Sequence, residues 1–204
     1  MKKQLTADEF YVPAHTVQAE IKVRGSKFIA TIDRVANADE AETVYAALRK
    51  KYYNATHNCF AWRIDDQQFR YSDDGEPSGT AGRPILQVID GTGLKQILCT
   101  VTRYFGGTKL GTGGLIRAYS DAAAAAFEQV DYCLVIRTIA LKIELKYEQE
   151  PLVRRLIDQY GGKILDSRYA AHINLEIALP QSLQNRFQDE IRKATHSSIK
   201  IVAL

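Results

Sequence analysis

The chain has 204 residues, 46% of them hydrophobic and 25% charged, with a formal net charge of +3. That suffices to bury one large core or two small ones without covalent staples. Three widely spaced cysteines argue against a disulfide framework, no apolar run approaches the ~20 residues of a membrane span, and the opening MKKQLTADEFYVP lacks the apolar stretch of a secretory leader, so a cytoplasmic protein is expected.

In chain order, HTVQAEIKV and KFIATIDRV read as two strands meeting at a turn, Arg24-Gly25-Ser26. ADEAETVYAALRKKYY sets Ala41, Val44, Tyr45, Leu48 and Tyr52 at helical spacing, with acids early and bases late as the helix dipole favours. HNCFAWRI and QFRYS form a second strand pair around Asp65-Asp66. In TAGRPILQVIDGTG, Thr80 is placed to cap a short helix with Pro84 in its first turn. KQILCTVTRY is an apolar strand that runs into a glycine-rich stretch, and a helix from about Gly113 to Gln129 follows.

The pattern then starts afresh. TIALKIELKY alternates as a strand, and EQEPLVRRLIDQY is a helix with Leu152, Leu156, Ile157 and Tyr160 on one face, stopped by Gly161-Gly162. KILDSRYA and AHINLEIAL are strands, LPQSLQNRFQDEIRKAT is a helix and SIKIVA a last strand. The order β-α-β-β-α-β is the ferredoxin-like split unit. The expected fold class is therefore α+β, with domains at 1–135 and 136–204. All of the positive excess lies after residue 135, and a mildly basic small domain is compatible with nucleic acid.

Two stretches carry candidate chemistry. RYFGGTKLGTGGLIR, residues 103–117, holds Gly106, Gly107, Gly111, Gly113 and Gly114 between a strand end and a helix start. Glycines let backbone N–H groups approach an anion, and the helix adds four unpaired amides and a partial positive charge. Lys109, with Arg103 or Arg117, would neutralise the remainder, and Tyr104 flanks the loop where a base could stack. The spacing matches neither GxxxxGK[ST] nor GxGxxG. The alternative is that these glycines only permit tight turns and close helix–sheet packing. YSDDGEPSGTAGR, residues 71–83, clusters Asp73, Asp74 and Glu76, which could hold a hard cation, accept hydrogen bonds from a partner's basic groups, or simply fix a solvated turn. The EF-hand ligand pattern is absent. His57 and Cys59 share a strand face, but nothing completes a four-ligand zinc set, so a core cysteine and a hydrogen-bonded histidine are expected. No metal, cofactor or catalytic residue is expected.

YSDDGEPSGTAGRPIL and RYFGGTKLGTGGLIRAY, in this order, with His57–Trp62 (HNCFAW) upstream, resemble the signature of the IMPACT family in its YigZ-type bacterial form. The resemblance covers nearly the whole chain. It implies an N-terminal domain like the second domain of ribosomal protein S-five and a ferredoxin-like C-terminal domain like one from elongation factor G. Eukaryotic members regulate translation by competing for the activator of an amino-acid-starvation kinase, a pathway bacteria lack. What carries over is an association with RNA or the translation machinery, and no catalytic residue comes with it. The leading expectation is a non-enzymatic protein that binds RNA or a ribosome-associated factor through the glycine loop. An enzyme or sensor for a phosphorylated small molecule, and a protein-interaction groove, are the alternatives.

Overall fold

A computed structural model describes residues 5–196 and 199–204. Lys2 and Lys3, and Ser198 at the start of the expected last strand, lie outside the described residues. The elements are β1 (Glu9–Pro13), β2 (Val17–Val23), β3 (Ser26–Arg34), α1 (Ala38–Lys51), β4 (His57–Arg63), β5 (Phe69–Ser72), α2 (Gly82–Thr92), β6 (Ile97–Tyr104), α3 (Gly111–Phe127), β7 (Tyr132–Ile136), β8 (Thr138–Leu145), α4 (Glu150–Gln159), β9 (Lys163–Tyr169), β10 (Ile173–Pro180), α5 (Gln184–Ala194) and β11 (Lys200–Ala203). This is a two-domain α+β fold. Short 3-10 turns at Tyr147–Gln149 and Gln181–Leu183 lead into α4 and α5.

The chain divides into two compact units. One is Tyr11–Leu134; in the other, the N-terminal stretch through Phe10 joins Val135–Leu204. In the first, five antiparallel strands run in the order β2-β3-β6-β4-β5. Alternation along β4 explains why its middle, Cys59 to Trp62, is apolar throughout. Cys59 and Ala61 join Ile85 of α2 and Leu115 and Tyr119 of α3 in the larger core, while Phe60 and Trp62 pack with Ala41 and Tyr45 of α1. The β2–β3 hairpin turns at Arg24 (φ 46°) and Gly25 (φ 83°), a left-handed pair suited to a two-residue turn.

The topology also gathers the site. His57, at the start of β4, lies opposite Arg103, near the end of β6, and β5 ends beside β4 with Ser72 opposite Phe60. The acidic turn and the glycine loop therefore leave the sheet at the same end.

The second unit has strand order β11-β8-β10-β9, with its neighbouring strands antiparallel, the arrangement of the ferredoxin-like split unit. Leu141, Ile143 and Leu145 of β8 and Ile173, Leu175, Ile177 and Leu179 of β10 alternate onto one core with Val153, Leu156 and Ile157 of α4 and Phe187 and Ile191 of α5. Strands β1 and β7 pair in a two-stranded ribbon that the sequence reading missed. Each is five residues long, β7 is largely exposed, and their pairing joins segments more than a hundred residues apart, so no local signal announces it.

Asp8 fastens the N-terminal stretch within this unit. Its carboxylate is buried and accepts from the Ser182 hydroxyl (2.6 Å) and backbone amide (3.0 Å), while its carbonyl accepts from the Arg137 amide (2.8 Å). Asp8→Ala should destabilise this unit by about 1–3 kcal/mol, because the Ser182 groups lose a charged acceptor. Urea unfolding followed by hydrogen exchange at α5 and β8 measures it.

Candidate functional site

The three carboxylates of the acidic turn each hold a different element. Asp73 Oδ2 accepts from the Gly79 amide (2.8 Å), and Oδ1 accepts from the amides of Ala81 (2.9 Å) and Gly82 (2.8 Å). A carboxylate brought from the preceding loop thus caps the N-terminus of α2, where unpaired amides and the helix dipole favour an anion. Thr80, expected in that role, instead donates to the Pro77 carbonyl (2.7 Å). Asp74 Oδ2 accepts from the Asn58 amide of β4 (2.6 Å). The Asp74 carbonyl lies 2.8 Å from His57 Nδ1, and a carbonyl only accepts, so Nδ1 carries the hydrogen.

Glu76 reaches furthest inward. Its Oε1 accepts from Arg103 Nη1 (2.5 Å) and from the Tyr119 hydroxyl (2.8 Å), which links the turn to β6 and α3. Glu76 is 8% exposed and Arg103 5%. The guanidinium lies over the rings of Phe28 (5.5 Å) and Phe105 (5.6 Å), and its Nε is buried without a hydrogen-bond partner among the described residues. His57 Nε2 stands 4.0 Å from Glu76 Oε1.

Of the uses open to this turn, the contacts are those of a fastened backbone: Asp73, Asp74 and Glu76 each accept hydrogen bonds from the chain itself. Among the described residues there is no group of three or more His, Cys, Asp or Glu that could hold a metal. Cys59 is no nucleophile either. Its thiol donates to the Asp73 carbonyl (3.0 Å), and burial pushes its pKa well above the usual thiol range. Burial likewise raises Tyr119 far beyond an ordinary phenol.

The glycine loop divides by function. The Phe105 amide donates to Thr56 Oγ1 (3.0 Å) and the Gly106 amide to Ser26 Oγ (3.1 Å). A Cβ on Gly106 would lie 1.9 Å from the Gly25 carbonyl carbon, so this glycine exists for close backbone packing. Gly107 (φ 87°) and Gly111 (φ 74°) supply left-handed turns. At Gly113 neither reason applies: its φ is ordinary and a Cβ would meet nothing within 4 Å. Tyr104 is committed to the fold, donating to Asn54 (3.0 Å) beneath the Lys27 ammonium, 5.1 Å from the ring.

Helix α3 begins at Gly111, two residues earlier than expected, and its N-cap residue Leu110 offers no side-chain hydrogen bond. Gly111, Thr112 and Gly113 are exposed. Beside this first turn lies a cavity of about 420 Å³ lined by Thr56, His57, Glu76, Pro77, Arg103, Phe105, Lys109, Leu110, Gly111, Thr112 and Leu115. Of the expected site residues, Arg103, Lys109, Gly111 and Glu76 meet here. Tyr104, Gly106, Gly107, Gly113, Gly114, Arg117, Asp73 and Asp74 do not line it, although Gly113 and Arg117 lie on exposed parts of α3. Sequence reasoning missed Thr56, Phe105 and Thr112, and it read His57 as a hydrogen-bonded histidine, which it is, without placing it at the cavity. The usable signal was strand pairing, since Thr56 and His57 precede and open the strand that runs alongside Arg103.

Residues 24–127 match the family described as Impact N-terminal domain, and residues 143–198 match one described as Domain of unknown function (DUF1949). An IMPACT family member of Haemophilus influenzae is 32% identical over 200 residues, covering 96% of this chain and 97% of that one. IMPACT family member YigZ of Escherichia coli is 31% identical over 201 residues, covering 97% and 98%. A solved structure described as a hypothetical protein superposes with a TM-score of 0.71 at 31% identity over 98% of each chain.

Truncating Glu76 would strand a buried guanidinium. Glu76→Ala should cost about 3–5 kcal/mol, read as a lowered denaturation midpoint. Glu76→Gln, which can still accept from Tyr119, should be milder.

Proposed function

The chain belongs to the IMPACT family, and on that premise we propose that it is a non-enzymatic, translation-associated protein that binds RNA phosphate at the first turn of α3. The observation that carries this reading is the bare helix start. Exposed glycines stand where no side chain caps the helix, and Gly113 relieves no clash. Glycine in a helix is less stable than alanine by roughly 0.5–1 kcal/mol. A position kept bare at that expense is suited to something approaching the backbone from outside.

The electrostatics favour an anion of modest charge. Arg103 is largely balanced by Glu76, so its contribution is a fixed donor array at the back of the cavity. Lys109 makes no ion pair among the described residues and supplies the free positive charge, with Arg117 exposed further along the helix. Phe105, 48% exposed in the cavity wall, offers a ring on which a base can stack, an interaction worth about 1–3 kcal/mol.

A second reading has one observation in its favour. A volume of about 420 Å³ lies within the range of small-molecule sites, so a free nucleotide is a competing occupant. Less favours the peptide-groove reading, because Asp73, Asp74 and Glu76 each already accept a hydrogen bond from the chain itself.

Fluorescence anisotropy with labelled RNA oligonucleotides across a salt series tests the proposal. Log affinity should fall by roughly 0.7 per decade of salt for each phosphate held. Lys109→Glu should weaken binding to all sequences alike. Gly113→Ala should raise the melting temperature, through a gain of up to about 1 kcal/mol, while weakening binding. RNA that is not retained at low salt, or is held regardless of salt, overturns the reading. Thermal shifts with mononucleotides but no oligonucleotide binding would select the second one.

A further inference from the structure

A second cavity, of about 530 Å³, adjoins the first, and Thr56 and His57 stand in the walls of both. It opens where α1 ends, and its lining includes Arg49, Lys50, Tyr53 and Asp74. The two basic residues have a ready explanation in the helix dipole. Tyr53 has none. It is 84% exposed and makes no ring contact or hydrogen bond among the described residues. Phe105 stands at the first cavity, so each of the two carries one solvent-facing aromatic ring.

Asp74 decides what the second cavity suits. Its Oδ2 is held by the Asn58 amide, and its Oδ1 has no hydrogen-bond partner among the described residues. A carboxylate oxygen in a cavity wall repels phosphate but accepts from a sugar hydroxyl, as acidic residues do for the ribose of bound dinucleotides. Arg49 and Lys50 make no ion pair among the described residues and can take the flanking phosphate.

We infer that this second cavity is a ribonucleotide subsite and that the ligand crossing both cavities, past His57, is single-stranded RNA. The inference rests on the phosphate-binding reading of the first cavity and extends it. Phosphate sits at the α3 amides and Lys109, one base on Phe105, a base further along the strand on Tyr53, and a ribose 2′-hydroxyl donates to Asp74. A duplex keeps its base faces stacked and unavailable, and DNA lacks the 2′-hydroxyl.

The test uses the full chain with labelled oligo(U) of two to eight nucleotides, the matching oligo(dU), and an RNA duplex, at low salt. Wild-type affinity should climb with RNA length until both cavities are filled, and the duplex and the DNA should bind several-fold more weakly. Tyr53→Ala, at a site too exposed to disturb the fold, should lower affinity for the longest RNA about tenfold and leave dinucleotide binding unchanged. Lys109→Ala should weaken every length. If Tyr53→Ala binds all lengths like wild type, or if duplex or DNA binds as well as single-stranded RNA, the second subsite is refuted while an effect of Lys109→Ala keeps the first. If wild type retains no RNA, the first reading falls and takes this one with it.

Discussion

The buried ion pair between Glu76 and Arg103 is the contact on which the rest of the site depends. It joins the turn after β5 to the end of β6, and through the Tyr119 hydroxyl it reaches α3. Such a pair is expensive to desolvate, and it persists only when further hydrogen bonds and packing complete it. Here Tyr119 supplies the hydrogen bond, and the guanidinium lies over the rings of both Phe28 and Phe105. Asp73 and Asp74 extend the same logic to α2 and β4, so one short acidic turn ties together four elements that are distant in sequence. The cavity wall is consequently set before any ligand arrives, which is what a precise binding site requires.

Much of this architecture was legible locally. Alternation and helical spacing place most strands and helices, because each buries an apolar face whose period is written in a few adjacent residues. The βαββαβ order of the C-terminal part follows from those periods alone. The ribbon of β1 and β7 was not legible, since its two short strands lie more than a hundred residues apart and neither carries a local signal of the other. Thr80 shows a subtler failure. Thr before a helix is a good cap by type, yet Asp73, eight residues before Ala81, wins the position because a charged acceptor near the dipole is stronger than a hydroxyl.

The candidate site was legible in part, and the glycines show why. Sequence marks Gly106, Gly111 and Gly113 alike, yet they stand for three different physical demands. Gly106 admits another backbone, Gly111 takes a left-handed turn, and Gly113 answers to neither. Only geometry separates them. The same holds for the acidic residues: their sequence leaves cation, partner and turn-fixing roles open, and only three-dimensional reach shows that Asp73, Asp74 and Glu76 each accept from the chain itself. His57 is the hydrogen-bonded histidine its sequence suggests, but only the fold shows that the first residue of the strand also lies at the cavity rim.

The fastening of Asp8 to Ser182 has a consequence for biosynthesis. These partners are 174 positions apart, so one emerges from the ribosome long before the other exists. The unit from Tyr11 to Leu134 can close while the nascent chain is still growing, but the Asp8 carboxylate must wait for its partner until the turn before α5 has been made. A residue made early is therefore among the last to find all of its partners.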